Sequence, residues 1–293
     1  MSEEKLIVLE SEESGEALAV RKVMHVLLEA DKGVGKIATR LWPAAEHLAE
    51  FVLQNDRSTT RSSAAEVQRQ PEIWHPQSKN SQKQPAVEQC LKQLQQYQEY
   101  PYSLIMELGA GVGLTGLEIA TQRKSKVLLT DLDDALPILQ INMQLNFPEI
   151  QTGAEAQRLA WGNDQDIAMA LQWWKANRCT KDQPLLLLAS DCVYWEELHA
   201  PLEYTLAQLL QALPEGSMAL VAGVRRWKRD NLFFKTIGKR TRTQTHALTC
   251  TCLKETVTRA TNISEDFNNE DDDEQQQQRS ILRVFAIEWK PRL

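Results

Sequence analysis

The fold is decided by one stretch, residues 104–116, with the sequence LIMELGAGVGLTG. It begins as a short apolar run typical of a buried parallel strand, passes through Glu107 into a Gly-x-Gly-x-Gly turn, and continues with residues that suit the start of a helix. Glycine lets the backbone turn tightly and approach a ligand closely, because no Cβ intervenes. Strand, glycine turn and helix in this order predict a site for a nucleotide or nucleoside cofactor.

Two cofactor classes compete for this turn. A dinucleotide site expects Gly-x-Gly-x-x-Gly, but here the third glycine comes one residue early, at Gly113, and Leu114 takes its place. Dinucleotide sites also hold a pyrophosphate at the helix N-terminus. S-adenosylmethionine has no phosphate and needs only a carboxylate for its amino group, which Glu107 can supply. The spacing favours S-adenosylmethionine and leaves the dinucleotide open.

A second carboxylate follows at Asp131, at the end of the predicted strand 127–131. A carboxylate at the tip of the second strand can accept hydrogen bonds from both hydroxyls of a ribose. Both candidate cofactors carry that ribose, so Asp131 supports a nucleoside without separating the two. The alternative role of Asp131 is to cap the helix that begins after it.

A third strand end discriminates between the two cofactors. The apolar run 185–190 leads directly into Asp191 and, three residues later, Tyr194. In an open α/β sheet, ligands bind at the carboxyl ends of the strands, so both side chains should emerge beside the cofactor. A carboxylate and an aromatic wall suit a methyltransferase that acts on an amine, and they have no obvious role in hydride transfer.

In these motifs the chain resembles methyltransferase family 16, the seven-strand protein-lysine methyltransferases of the methyltransferase-like 21 type. The resemblance covers separated segments that occur in the family's order: Leu41–Ala45, Glu107–Gly116, Thr130–Asp131, Leu159–Gly162, Ser190–Tyr194 and Arg226–Asn231. Each motif is weak or moderate alone, and their order makes the set specific.

The resemblance implies a role for each matching residue. Together with Glu107, the residues expected to contact the cofactor are Trp42, Gly109, Ala110, Gly111, Asp131, Trp161 and Ser190. The two tryptophans have core packing as an alternative role. Asp191 and Tyr194 are the expected catalytic residues, Asp191 aiming the lysine amine and Tyr194 shaping its slot. We expect Asp191→Ala to abolish transfer and to leave cofactor affinity nearly intact.

Alternating strands and helices predict a Rossmann-like class I methyltransferase fold: a seven-stranded, mostly parallel sheet with helices on both faces and a C-terminal antiparallel hairpin. Residues 1–54 are interpreted as an N-terminal extension with a strand or hairpin near Lys5–Leu9, a helix over 17–28 and the Trp-motif helix over 42–53. Residues 55–88 are expected to be a flexible insertion and 89–293 the methyltransferase core. The acidic, glutamine-rich stretch 262–279 should be a disordered loop within that core.

Composition limits the compartment and the partners. The net charge of −7 argues against general affinity for nucleic acid. No apolar run reaches the roughly 18 residues of a membrane span, and the acidic start does not resemble a secretory signal. Five scattered cysteines suit a reducing compartment, and their spacing does not predict a metal site. We therefore expect a cytoplasmic protein, with the nucleus as an alternative.

Other functions stay open at this stage. The expected partner is a protein substrate, an elongation factor or a chaperone by family resemblance. The same fold accepts other substrates, so methylation of RNA or of a small molecule is an alternative. A basic segment over 225–242 could dock RNA or an acidic protein, or be a solvated helix face. A catalytically silent module that keeps the fold to recruit a partner is the third possibility.

Overall fold

The computed structural model describes residues 4–9, 25–30, 41–55, 84–146, 153–225, 230–258 and 280–292. Most of the expected insertion and the whole acidic stretch 262–279 lie outside the described residues, as do residues 226–229 of the basic segment. A helix begins at Gln84, so the last five residues assigned to the flexible insertion belong to a helix instead.

The described residues form nine strands, seven α-helices and one short 3-10 helix, Tyr97–Glu99. In chain order the strands and α-helices are β1 (Glu4–Leu9), β2 (His25–Ala30), α1 (Pro43–Gln54), α2 (Gln84–Gln96), β3 (Ser103–Leu108), α3 (Leu114–Gln122), β4 (Ser125–Asp131), α4 (Leu136–Asn146), β5 (Ala154–Arg158), α5 (Asp164–Asn177), β6 (Leu185–Ser190), α6 (Glu196–Ala212), β7 (Met218–Arg225), α7 (Asp230–Thr236), β8 (His246–Thr258) and β9 (Ser280–Pro291). No helix in this described part is both long and apolar enough to cross a membrane.

Seven strands form one sheet in the order β5-β4-β3-β6-β7-β9-β8. Strands β3 to β7 run parallel to one another, and β9 pairs antiparallel with both β7 and β8. The predicted mostly parallel sheet with a C-terminal antiparallel hairpin is confirmed. Strand β8 carries a bulge between Cys252 and Lys254.

Two apolar layers cover the sheet, because side chains of each strand alternate between its faces. On one face Ile105 of β3 packs with α1, α2, α3 and α4. On the other face its neighbours Leu104 and Met106 pack with α5, α6 and α7. All six residues of β3 are buried, as a strand covered on both sides requires.

The N-terminal segment departs from the sequence prediction. A helix was expected over 17–28, but residues 25–30 form β2, which pairs antiparallel with β1 in a separate two-stranded sheet. The register places Leu6 opposite Leu28 and Val8 opposite Val26. Pairing with β1 decides the conformation of this short apolar run, whose pattern alone suits either a strand or a helix.

The strand order fixes where a ligand can bind. From β3 the chain goes to β4 on one side, and it returns to the other side of β3 only with β6. Loops leaving β3 and β6 therefore diverge toward opposite faces and leave a crevice at the carboxyl ends of these strands. The predicted site segments after β3, β4 and β6 all reach this crevice.

Candidate active site

The glycine turn is built as the sequence predicted. Gly109 and Gly111 both have positive φ, of 63° and 56°, a conformation that glycine adopts without steric cost. The Ala110 N–H donates to the Thr130 carbonyl across 2.9 Å, and the Gly111 N–H donates to Asp131 Oδ2 across 2.7 Å. The turn is therefore held against the end of β4.

Gly109 sits at a crowded point of the crevice. A Cβ added there would lie 2.9 Å from Cys192 Sγ and 2.9 Å from Trp161 Cζ2. Trp161 follows β5, so the turn after β3 and the loops after β5 and β6 meet at this glycine. The half-buried Trp161 is thereby placed beside the turn, where its ring can line a flat heterocycle.

Glu107 is completely buried near the end of β3. Its Oε2 accepts a 2.8 Å hydrogen bond from the Gly116 N–H of α3, while its Oε1 is buried and accepts no hydrogen bond from the described residues. Burial raises the pKa of this carboxyl to about 7, opposed by the Gly116 N–H and the nearby Thr115 hydroxyl. An unpartnered buried carboxylate oxygen is costly, and it fits a ligand that brings a cationic amino group.

Asp131 ends β4 and faces the glycine turn. Its Oδ2 accepts from Gly111 and its Oδ1 from the Leu132 N–H at 2.7 Å. Burial raises the pKa of Asp131, and these two N–H groups oppose the rise. Each carboxylate oxygen has a second lone pair, so Asp131 can fix the turn and still accept bonds from ribose hydroxyls.

Ser190 and the start of α1 meet at the first turn of α3. Trp42 precedes α1 as its N-cap residue. The Thr115 hydroxyl, in the first turn of α3, lies 3.2 Å from the Ala45 carbonyl of α1 and 3.5 Å from Ser190 Oγ. Thr115 thus ties the start of α1 to the glycine turn and to the end of β6.

Asp191 lies just beyond β6 and is buried. Its Oδ2 accepts a 3.0 Å hydrogen bond from the Ala44 N–H of α1, and its Oδ1 accepts from the Val224 N–H of β7 at 3.2 Å. Its own N–H donates to the Ala222 carbonyl. The structure therefore gives both carboxylate oxygens backbone partners that the sequence did not indicate.

Tyr194 is half-buried, and its ring packs against Trp195 with centroids 5.2 Å apart. Burial raises the pKa of Tyr194 to about 12, with smaller contributions from Cys192 and then Asp131. The phenol is therefore protonated at neutral pH. Trp195 precedes α6 and is 52% exposed, an unusual position for a large aromatic side chain.

Three carboxylates surround a buried thiol in this crevice. Cys192 donates its S–H to the Leu108 carbonyl across 3.2 Å. Burial raises its pKa well above the ordinary value, and Asp131, Glu107 and Asp191 add to the rise. The thiol is thus kept uncharged and weakly nucleophilic, while the carboxylates create a field that favours a cationic ligand.

The structure brings Asp131 and Trp161 to the glycine turn, at Gly111 and Gly109. Glu107 and Ser190 lie against the first turn of α3. Sequence reasoning missed four contributors to the same crevice: Ala44, Thr115, Cys192 and Trp195. Cys192 and Trp195 adjoin predicted residues and carried no separate signal. The roles of Ala44 and Thr115 depend on contacts that span about 70 residues or more of sequence.

This combination defines a class of protein. A seven-stranded Rossmann-like sheet, a glycine turn at its switch point and a carboxylate at the tip of the second central strand are those of a class I, S-adenosylmethionine-dependent methyltransferase. Among the described residues, no three His, Cys, Asp or Glu side chains group as metal ligands.

The particular family follows from comparison with known proteins. Residues 22–240 match the model of the lysine methyltransferase family, and this chain belongs to that family. The chain is 34% identical over 142 residues to the protein-lysine N-methyltransferase EFM6 of Saccharomyces cerevisiae, covering 46% of this chain and 55% of the relative.

Two further relatives are also named as lysine methyltransferases. Protein N-lysine methyltransferase METTL21A of Danio rerio is 30% identical over 138 residues, covering 46% of this chain and 56% of the relative. Calmodulin-lysine N-methyltransferase of Arabidopsis thaliana is 30% identical over 135 residues, covering 45% and 41%. The matches thus span about half of the length of these relatives.

Proposed function

We propose that this protein transfers methyl groups from S-adenosylmethionine to a lysine side chain of a protein substrate. The observation that carries the proposal is the buried, unpartnered Oε1 of Glu107 beside the glycine turn of a lysine methyltransferase fold. A cationic amino group is the natural partner for this oxygen, and a methionine moiety carries one.

Each residue around the turn would bind a different part of the cofactor. Glu107 would hold the amino group of the methionine moiety, Asp131 the ribose hydroxyls, and Trp161 a face of the adenine. Gly109 keeps the space that a Cβ would fill, and the turn around it presents backbone rather than side chains. When bound, S-adenosylmethionine supplies an electrophilic methyl group on a sulfonium centre, which the surrounding carboxylates favour electrostatically.

Transfer then depends on how the chain presents the amine. A lysine amine has a pKa of about 10.4 in water and must lose its proton before it attacks. A slot walled by Tyr194 and Trp195 would desolvate the amine and lower its pKa. Because the pKa of Tyr194 is itself about 12, water rather than the phenol would take the proton. Alignment of amine and methyl group would supply most of the rate enhancement, on the order of 7–11 kcal/mol.

The proposal also concerns the kind of protein that accepts the methyl group. Relatives named for protein lysine methylation support a protein substrate, and an elongation factor or a chaperone is the kind we favour from the sequence resemblance. The free state of all five cysteines supports a reducing compartment, the cytoplasm or the nucleus.

A labelling experiment tests the proposal. Purified protein is incubated with cell lysate and S-adenosylmethionine carrying a labelled methyl group, and labelled molecules are separated by class. A discrete labelled protein band, with the label on lysine after hydrolysis, is the expected result. Label on RNA or small metabolites, or no label although calorimetry detects binding of S-adenosylmethionine, would overturn the lysine assignment. The Asp131→Ala variant, which lacks the proposed ribose acceptor, is the matched negative control.

A further inference from the structure

Asp191 has an unusual backbone as well as unusual partners. Within the described ranges it is the one non-glycine residue with positive φ, at 50°. A non-glycine residue keeps this conformation when its surroundings determine it. Here three hydrogen bonds do so: the Asp191 N–H to Ala222, Oδ1 from Val224 and Oδ2 from Ala44.

The hydrogen bond from the Ala44 N–H satisfies a backbone donor at the start of α1 that has no acceptor within the helix. The N-cap residue Trp42 makes no side-chain capping bond, and Pro43 at the first position has no N–H to satisfy. The first free N–H of the helix is that of Ala44, and its acceptor is Asp191, 147 residues away in sequence. A carboxylate at this end is also favoured by the positive end of the helix dipole.

The capped turn lies against the cofactor crevice. Ala45, one residue further on, accepts from the Thr115 hydroxyl, which also reaches Ser190. The start of α1 is therefore fixed at two adjacent residues, once to the loop after β6 and once to the first turn of α3. Trp42, which the family resemblance assigns to the cofactor, directly precedes this turn.

We propose that Asp191 is a positioning residue: its carboxylate caps α1 from the loop after β6 and so holds Trp42 against the cofactor site, instead of aiming the acceptor amine. The inference rests on the proposed function only for the identity of the cofactor. From the sequence, Asp191→Ala was expected to leave cofactor affinity nearly intact. A positioning role for Asp191 predicts instead that Asp191→Ala weakens cofactor binding.

Two variants remove the same hydrogen bond from its opposite ends. Asp191→Ala removes the acceptor, and Ala44→Pro removes the donor while leaving the Asp191 carboxylate in place; proline is tolerated in a first helical turn. Asp191→Asn keeps one acceptor oxygen and should fall between wild type and Asp191→Ala. The double variant Asp191→Ala/Ala44→Pro completes a cycle that separates loss of the bond from strain caused by the proline.

The first readout is amide hydrogen exchange of the protein without ligand, over residues 45 and 46, because the proline variant has no amide N–H at position 44. Loss of a hydrogen bond to a charged group should speed exchange by about 10- to 100-fold in each single variant. The double variant should exchange no faster than Asp191→Ala alone. A further increase in the double variant would mean that the proline itself disrupts the helix. In that case the exchange rates of wild type, Asp191→Asn and Asp191→Ala, none of which contains the added proline, test the hydrogen bond.

The second readout is calorimetric affinity for S-adenosylhomocysteine, the product of the cofactor. We expect both single variants to bind it about tenfold or more weaker than wild type, with Asp191→Asn intermediate. Wild-type affinity in Asp191→Ala and Ala44→Pro, with methyl transfer lost only in Asp191→Ala, would overturn the inference and return Asp191 to the amine. Failure of the wild-type protein to bind S-adenosylhomocysteine would instead refute the proposed function.

Discussion

Replacing Glu107 by glutamine should separate binding from stability. Glutamine has the shape of glutamate, so its carbonyl oxygen can still accept from the Gly116 N–H. Its amide NH₂ then occupies the position of the unpartnered Oε1 and repels a cationic amino group. We expect the affinity for S-adenosylmethionine to fall by the worth of a hydrogen bond to a charged group, about 1.5–3 kcal/mol or roughly 10- to 150-fold.

The same substitution should increase the free energy of unfolding relative to wild type as the pH rises. The pKa of Glu107 rises from its ordinary value of 4.5 to about 7 in the fold, so the folded state holds this proton more tightly than the unfolded state. Wild-type stability from this group is complete below about pH 4.5 and is lost as the pH rises through about 7. Glutamine carries no charge, so Glu107→Gln should gain on wild type by about 2 kcal/mol between about pH 5 and about pH 8.

Titration calorimetry at about pH 8 and denaturant unfolding at about pH 5 and about pH 8 check both effects. Glu88→Gln, the same chemical change at an exposed position of α2, is the control and should alter neither quantity. Wild-type affinity in Glu107→Gln would show that this carboxylate does not anchor the cofactor. An unfolding free energy that tracks wild type at both pH values would contradict the burial argument.

Three further substitutions test other parts of the site and its support. Gly109→Ala places a Cβ 2.9 Å from Cys192 Sγ at a φ of 63°, so it should cost about 1–3 kcal/mol of stability and weaken cofactor binding; thermal unfolding with wild-type stability would refute the crowding. Tyr194→Phe keeps the aromatic wall and should slow methyl transfer by less than about tenfold, whereas a loss of about a thousandfold or more in single-turnover assays would mark the hydroxyl as an essential acid or base. Glu203→Ala removes a buried carboxylate that accepts from the Gly238 N–H at 3.0 Å, so urea unfolding should show a loss of at least about 1–3 kcal/mol, and unchanged stability would argue against this anchor.

Much of the fold followed from local pattern. An apolar run that ends in an acid and a glycine turn has few structural solutions, so β3, the turn and the start of α3 were predictable from residues 104–116. The parallel direction of strands β3 to β7 followed from the alternation of strands with helices. The N-terminal strand β2 was missed because its apolar run suits both periodicities, and pairing with β1 is a contact that no local pattern encodes.

The sequence by itself determined which chemical groups stand at the strand ends around the candidate site: Glu107 near the end of β3, Asp131 at the end of β4, and Asp191 and Tyr194 just after β6. Only the tertiary structure decided how those groups are engaged. Whether a carboxylate oxygen is left unpartnered, as in Glu107, or caps a helix 147 residues away, as in Asp191, depends on where packing places a backbone N–H. Hydrogen bonds act over about 3 Å in space, and distance in space between such groups is set by the packing of α1 and α3 on the sheet, which the order of residues along the chain does not reveal.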